Sequence, residues 1–233
     1  MGKDAVPAPE PLGERRLDPF SKERTMANSL AAWHAEHVNF ARLLDLLEIQ
    51  VANFHRGERP NYDLMGDIVY YLRSFADCIH HPREDVAFAR LAEREPAMEL
   101  VINRLLQEHR VISTASEELF NRLNEVAEDV LTPRVALEAA AATYVVYYRH
   151  HLAAEEGEIM PRAAQLLTQA DWAAVAATVP AASDPLFGNH VEARFRELRK
   201  QIAMEVRVSR QEWELARGYA ATSTITSVNS ERA

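Results

Sequence analysis

Cysteine is nearly absent. Cys78 is the only one in 233 residues, which excludes an internal disulfide and any zinc site built from cysteine thiolates. Glycine is scarce, at 7 residues, while alanine, leucine and glutamate abound, so the chain favours helices over a turn-rich β fold. No apolar run approaches the roughly 20 residues a membrane span requires. Lysine and arginine runs are missing too, and the formal net charge of −9 argues against nucleic acid or an anionic membrane as partner. The opening stretch, MGKDAVPAPEPLGERR, lacks the apolar core of a secretory signal, and Val6 breaks the N-myristoylation pattern. A cytoplasmic helical protein is expected.

What the chain does have is apolar residues, 48% of the total, enough for one full core. Residues 1–18 are proline-rich and polar and read as a flexible tail. Asp18-Pro19 opens a first helix whose apolar stripe is Leu30, Trp33, His37, Phe40, Leu44, Leu47 and Val51, in steps of three and four. A second helix, from about Asp63 to Arg94, stacks Leu72, Ala76, His80, Glu84 and Phe88 four apart. A third, opened by Pro96, carries Met98, Ile102, Leu105, His109, Ile112, Ser116, Leu119 and Leu123. Thr132-Pro133 should cap a fourth, with Leu137, Ala141, Tyr144, Tyr148, His151, Glu155 and Ile159. Four such helices with short connections imply an all-α, up-down-up-down four-helix bundle over residues 19–168. A helical extension follows over 169–215, opened by the capping box of Thr168 to Trp172, and 216–233 reads as a second flexible tail. Val191, Phe195, Leu198 and Ile202 mark a helix that covers the bundle or joins a second copy in a homodimer.

One histidine on an apolar stripe is ordinarily a core residue bonded to a backbone carbonyl. Here all four helices carry one, and burying four imidazoles and two carboxylates without compensation is very costly. A shared ligand removes that cost. His80 and Glu84, like His151 and Glu155, lie one turn apart on one face. Imidazole with carboxylate, and no thiolate, suits iron or manganese better than a structural zinc. The stretch HHPREDVAF (80–88) adds a proline inside a helix, which normally costs about 3 kcal/mol. Pro82 is expected to kink the turn there. His34, one turn before His37, reads as exposed, with an outer partner of the site as the alternative; His150 reads as exposed, and Cys78 faces away from the stripe. Tyr144, Tyr147 and Tyr148 read as core packing, with a hydroxyl near a bound ligand as the alternative. Asp85 and Glu156 either hydrogen-bond ligand histidines from outside or are simply solvated.

These residues resemble the hemerythrin-like, or HHE cation-binding, domain family over about residues 28 to 165. The resemblance rests on Glu36-His37, HHPRED (80–85), Glu108-His109 and HLAAEEGEIMP (151–161), the last being the most specific. It implies a centre of two non-haem iron ions with an oxo or hydroxo bridge. His37 and His80 would bind one iron, His109 and His151 the other, and Glu84 and Glu155 would bridge, with Glu156 as the alternative bridge. Oxygen-carrying members have a further histidine one turn earlier on helix 3, where this chain has Leu105. In iron-sensing members the residue after the helix 2 histidine is a ligand, which makes His81 the fifth histidine. Five histidines, two bridging carboxylates and a bridging oxygen fill roughly eleven of twelve octahedral positions. The resemblance therefore implies that dioxygen or nitric oxide binds at the open position, for storage or sensing. The alternatives are an enzyme acting on peroxide or nitric oxide or in iron-centre repair, a regulatory module read out by the C-terminal helix, and a bundle without metal.

Overall fold

The computed structural model describes residues 19–204 apart from 129, 131 and 179–182, with side chains from residue 29 onward. The two tails and residues 205–215 of the extension lie outside the described residues. Helix α1 spans Pro19–His55 and ends where Gly57, at φ 75°, turns left-handed. Gly57 N–H bonds Phe54 O at 3.0 Å and Glu58 N–H bonds Asn53 O at 2.9 Å, the paired bonds of a Schellman cap that satisfy carbonyls the helix leaves open. Asn61 then caps α2, its side chain accepting from Leu64 N–H at 3.1 Å.

Helix 2 runs without a break but in three parts: α2 (Tyr62–Tyr71), a π-helical stretch (Leu72–His80) and α3 (His81–Arg94). A 3-10 turn at Pro96–Met98 leads into α4 (Glu99–Ala127). The fourth rod is again tripartite, with α5 (Arg134–Ala154), a π-helical turn (Glu155–Ile159) and α6 (Met160–Leu166). Thr132 does not cap it. Pro133 takes the N-cap position, and the Thr132 hydroxyl donates to Glu125 Oε2 at 3.0 Å.

The rods pack as a ring. Helix 1 touches helices 2 and 4, and helix 3 touches helices 2 and 4. The inward face of each rod is the stripe read from the sequence. In α4 the buried residues are Ile102, Leu105, His109, Ile112, Ser116, Leu119 and Leu123. The apolar core falls into two clusters. One contains Phe40, Leu44, Phe75, Ile112 and Tyr148, the other Trp33, Phe88, Leu105 and Ile159. Each buried leucine or phenylalanine contributes roughly 1.5–3 kcal/mol. Between the clusters every rod places its histidine, so a polar layer divides the core.

Beyond the bundle, α7 (Gln169–Thr178) lies on α3 and α1. Its capping box forms: Thr168 N–H bonds Asp171 Oδ2 at 2.7 Å, and Asp171 N–H reaches Thr168 Oγ1 at 3.4 Å. Arg94 Nη2, on α3, bonds the same carboxylate at 2.5 Å. Asp184 Oδ1 accepts from Leu186 and Phe187 N–H, both at 2.8 Å, and its backbone oxygen would stand 2.3 Å from a Cβ at Gly188, which restricts that position to glycine. Residues 196–204 are helical (α8), and Phe195, Leu198 and Ile202 join the first core cluster. Of the two roles expected for this helix, the described residues cover the bundle.

Candidate metal centre

The histidine of helix 2 comes in a pair, and both members point inward. His80 is 2% exposed and His81 4%. In a regular α-helix adjacent side chains diverge by about 100°, so both could not reach one layer. The π-helical stretch just before them has wider turns, hence a smaller step per residue. Its last bond runs from His81 N–H to Ala76 O, five residues back. The next residue is Pro82, which has no N–H to continue the ladder. Arg83 Nε donates instead to Ile79 O at 3.1 Å. The departure from regular helix geometry expected at Pro82 is present, as a change of helix type just ahead of it, and His81 points inward with His80. Helix 4 repeats the device: Met160 N–H bonds Glu155 O, five residues back, and Pro161 follows.

Two groups of donors result. His37, His80, Glu84 and Glu155 offer atoms all within 4.8 Å of one another, as do His81, Glu84, His109 and His151. Glu84 belongs to both. Its Oε1 lies 3.1 Å from His37 Nε2 and 2.7 Å from His80 Nε2, while Oε2 lies 3.4 Å from His109 Nε2. Glu155 is split the same way. Its Oε2 is 3.3 Å from His37 Nε2, and its Oε1 is 3.2 Å from His151 Nε2 and 3.6 Å from His109 Nε2. Each carboxylate therefore turns one oxygen to each group of histidines.

The inner atoms want a partner. Glu84 Oε2, both oxygens of Glu155, His109 Nε2 and His151 Nε2 are buried and make no hydrogen bond among the described residues. Glu155 and His151 are 0% exposed. Left unmatched, such atoms cost about 1–3 kcal/mol each, more when charged. A metal cation meets that requirement, and the nitrogen and oxygen donor set is one that iron accepts. The residues fit the group.

The sequence profile of the hemerythrin HHE cation binding domain matches residues 28–163, more than half of the chain. The chain belongs to the hemerythrin family. No curated protein and no solved structure matches it. Leu105, where an oxygen-carrying hemerythrin would have a further histidine, is fully buried in the second core cluster.

In this hemerythrin domain the outward nitrogen of every clustered histidine faces an acid. Glu36 Oε2 stands 2.5 Å from His80 Nδ1, Asp85 Oδ1 2.8 Å from His109 Nδ1, Glu108 Oε2 3.1 Å from His151 Nδ1, and Glu156 Oε1 2.8 Å from His37 Nδ1. Helix 1 thus supports helix 2, helix 2 supports helix 3, helix 3 supports helix 4, and helix 4 supports helix 1. The circuit closes. Asp77 Oδ1 completes the set at 3.4 Å from His81 Nδ1. Such partners fix the ring tautomer and raise donor strength. Both open questions about Asp85 and Glu156 are answered: each faces a clustered histidine from outside the layer. Glu156 also reaches exposed His34 at 2.9 Å, while Glu155 faces inward. Glu36, Glu108 and Asp77 had no role assigned from the sequence. The signal for the first two was present, since each adjoins a stripe histidine but serves the next helix.

These contacts set the charges of the metal-free layer. Burial opposes the imidazolium at His37, but the Glu156 and Glu84 hydrogen bonds outweigh it and hold the pKa up at about 10. Against the same opposition, Asp85 and Glu155 raise His109 to about 11, and Glu155 and Glu108 raise His151 to about 9. Burial works against the Glu84 carboxylate, yet the surrounding histidines, His80 foremost, hold it well below its usual range. His81 differs. Burial and the neighbouring His109 push it well below the ordinary histidine value, so it presents a neutral ring. Trp33, on the helix 1 stripe, was read only as core. Its indole N–H donates to Glu84 Oε1, with His37 Nε2 2.9 Å away.

Proposed function

We propose that this chain is a non-haem di-iron protein that binds dioxygen or nitric oxide at an open coordination position, for storage or sensing. The observation that supports this most is the division of Glu84 and Glu155, one oxygen of each toward either group of histidines. In this reading His37 and His80 would hold one iron and His81, His109 and His151 the other, with Glu84 and Glu155 shared between them. Three histidines against two would leave the open position on the His37 and His80 side. Bound iron supplies reversible coordination of a diatomic molecule. The chain orients the rings through their outward acids, flanks the layer with two apolar clusters, and supplies the Trp33 indole N–H beside the two-histidine group.

A turnover reading has one observation in its favour. Tyr148 is 0% exposed, its hydroxyl has no partner among the described residues, and its ring lies 6.0 Å from His81 and 6.4 Å from His151. Burial holds this phenol's proton more firmly than usual, so it would serve peroxide or nitric oxide as a hydrogen-bond donor. Metal analysis with optical spectra, taken with and without oxygen, tests the proposal. Two irons per chain and a band that appears with dioxygen and reverses under vacuum are expected. Near-zero iron in protein from iron-replete cells would overturn it. Consumption of peroxide or nitric oxide over many turnovers would select the enzyme. His109→Ala should lower iron content sharply.

A further inference from the structure

A cavity of about 160 Å³ lies between α1, helix 2 and α7. Its floor is His80 and Glu84, both members of the two-histidine group. Its throat is a pair of indoles, Trp33 and Trp172, packed edge to face at 6.0 Å and 6% and 4% exposed. At its mouth stand small residues, Ala32 on α1 and Ala176 on α7, both exposed. The wall formed by Trp172, Val175 and Ala176 belongs to α7, which lies beyond the 28–163 match to the hemerythrin domain. The family's own segment does not supply it.

We infer that α7 builds a chamber for a small uncharged molecule over the two-histidine group, with Trp172 and Ala176 setting what size can enter. The inference rests on the proposed function and names the residues of this chain that control access to its open position. Three observations carry it. In size alone the cavity compares with an enclosed apolar one of about 150 Å³ that takes up xenon or benzene, so even with an open mouth and a polar floor it admits a diatomic molecule with room to move. Charge on the wall is paired: Arg83 Nη2 pairs with Glu36 Oε2 at 2.6 Å, and Glu36 holds His80. Glu84, the remaining carboxylate of the lining, belongs to the donor layer at the floor. Finally, α7 is held in place by its own lock, the Thr168 capping box and the Arg94–Asp171 pair, and Trp172 follows Asp171 directly. The buried Trp172 Nε1 has no hydrogen-bond partner among the described residues.

The test uses the full chain with and without metal. Ala176→Trp places a bulky ring at the exposed mouth, and Ala177→Trp places one beside it, at an exposed position that does not line the cavity. Xenon NMR on the metal-free protein should show xenon bound in the wild type and the Ala177→Trp variant and lost in Ala176→Trp. In the iron-loaded protein, stopped-flow nitric oxide binding should slow by roughly tenfold or more in Ala176→Trp alone, at equal iron content. No xenon in the wild type, or a nitric oxide rate unchanged by Ala176→Trp, would overturn the chamber. Xenon lost on plugging, in a wild type that forms no nitric oxide adduct, would uphold the chamber and overturn the gas-binding reading beneath it.

Discussion

At the scale of single residues, neighbours in sequence have opposite duties. Glu155 is fully buried, and its two oxygens face the inward nitrogens of His37, His109 and His151 without a hydrogen bond among the described residues, whereas Glu156 is part-exposed and bonds His37 from outside. Glu155→Gln should therefore cut metal content to one ion per chain or fewer. Glu156→Gln should keep the metal but weaken affinity by roughly 10- to 100-fold. Equal losses in a metal titration of the two variants would refute the assignment of inner and outer roles. The histidine charges give a second expectation. With pKa values of about 10, 11 and 9, His37, His109 and His151 carry protons at neutral pH in the metal-free protein. A metal needs those lone pairs, so its uptake must release protons, and affinity must fall as pH falls. The sign for the metal-free fold is the reverse. Raised histidine pKa values stabilise it below the unfolded value and cease to do so as pH climbs through the folded values. A pH indicator followed during a ferrous titration checks the first statement. Absence of proton release would mean that the rings are already neutral.

At the scale of elements, both π-helical stretches end two residues before a proline, and both hold or adjoin an inward carboxylate or histidine pair. The regular ladder fails at Pro82 and Pro161 because neither has an N–H, and a five-residue bond ends each stretch instead. Pro82→Ala restores a donor, which favours a return to the α register and turns His80 and His81 apart. Metal affinity should drop at unchanged or higher helix content, measured by metal titration alongside far-UV circular dichroism. A variant that binds two metals as tightly as the wild type would show that packing, and not the proline, holds the wider turn. Helix periodicity alone could not have announced this. A stripe count sees residues four apart and has no term for a local change of pitch.

At the scale of the whole molecule, the polar layer joins four rods through one cluster and divides the apolar core in two. Without a cation, the buried carboxylates and imidazoles must balance each other. With one, stability rises by the binding free energy, about 4 kcal/mol where free metal exceeds Kd a thousandfold. Stripping with a chelator should thus lower Tm by many degrees, and iron or manganese should restore it, as scanning calorimetry would show. An unchanged Tm would mean that the layer is content without metal. No helix among the described residues is long and apolar enough to cross a membrane.

The sequence by itself determined the all-helical class, the four buried faces and the presence of His37, His80, His109, His151, Glu84 and Glu155 on them, because a period of 3.6 converts spacing directly into direction. His81 needed a family resemblance, since its place beside His80 contradicts that period. Only the tertiary structure decided that both rings turn inward, that Glu155 and not Glu156 faces the layer, and which acid serves which histidine. Those are relations between helices, fixed by how the rods pack and where their pitch changes. The cavity under α7 is of the same kind. Trp33 and Trp172 stand 139 positions apart in the chain, and no local pattern brings them together; the docking of α7 onto α1 and α3 does.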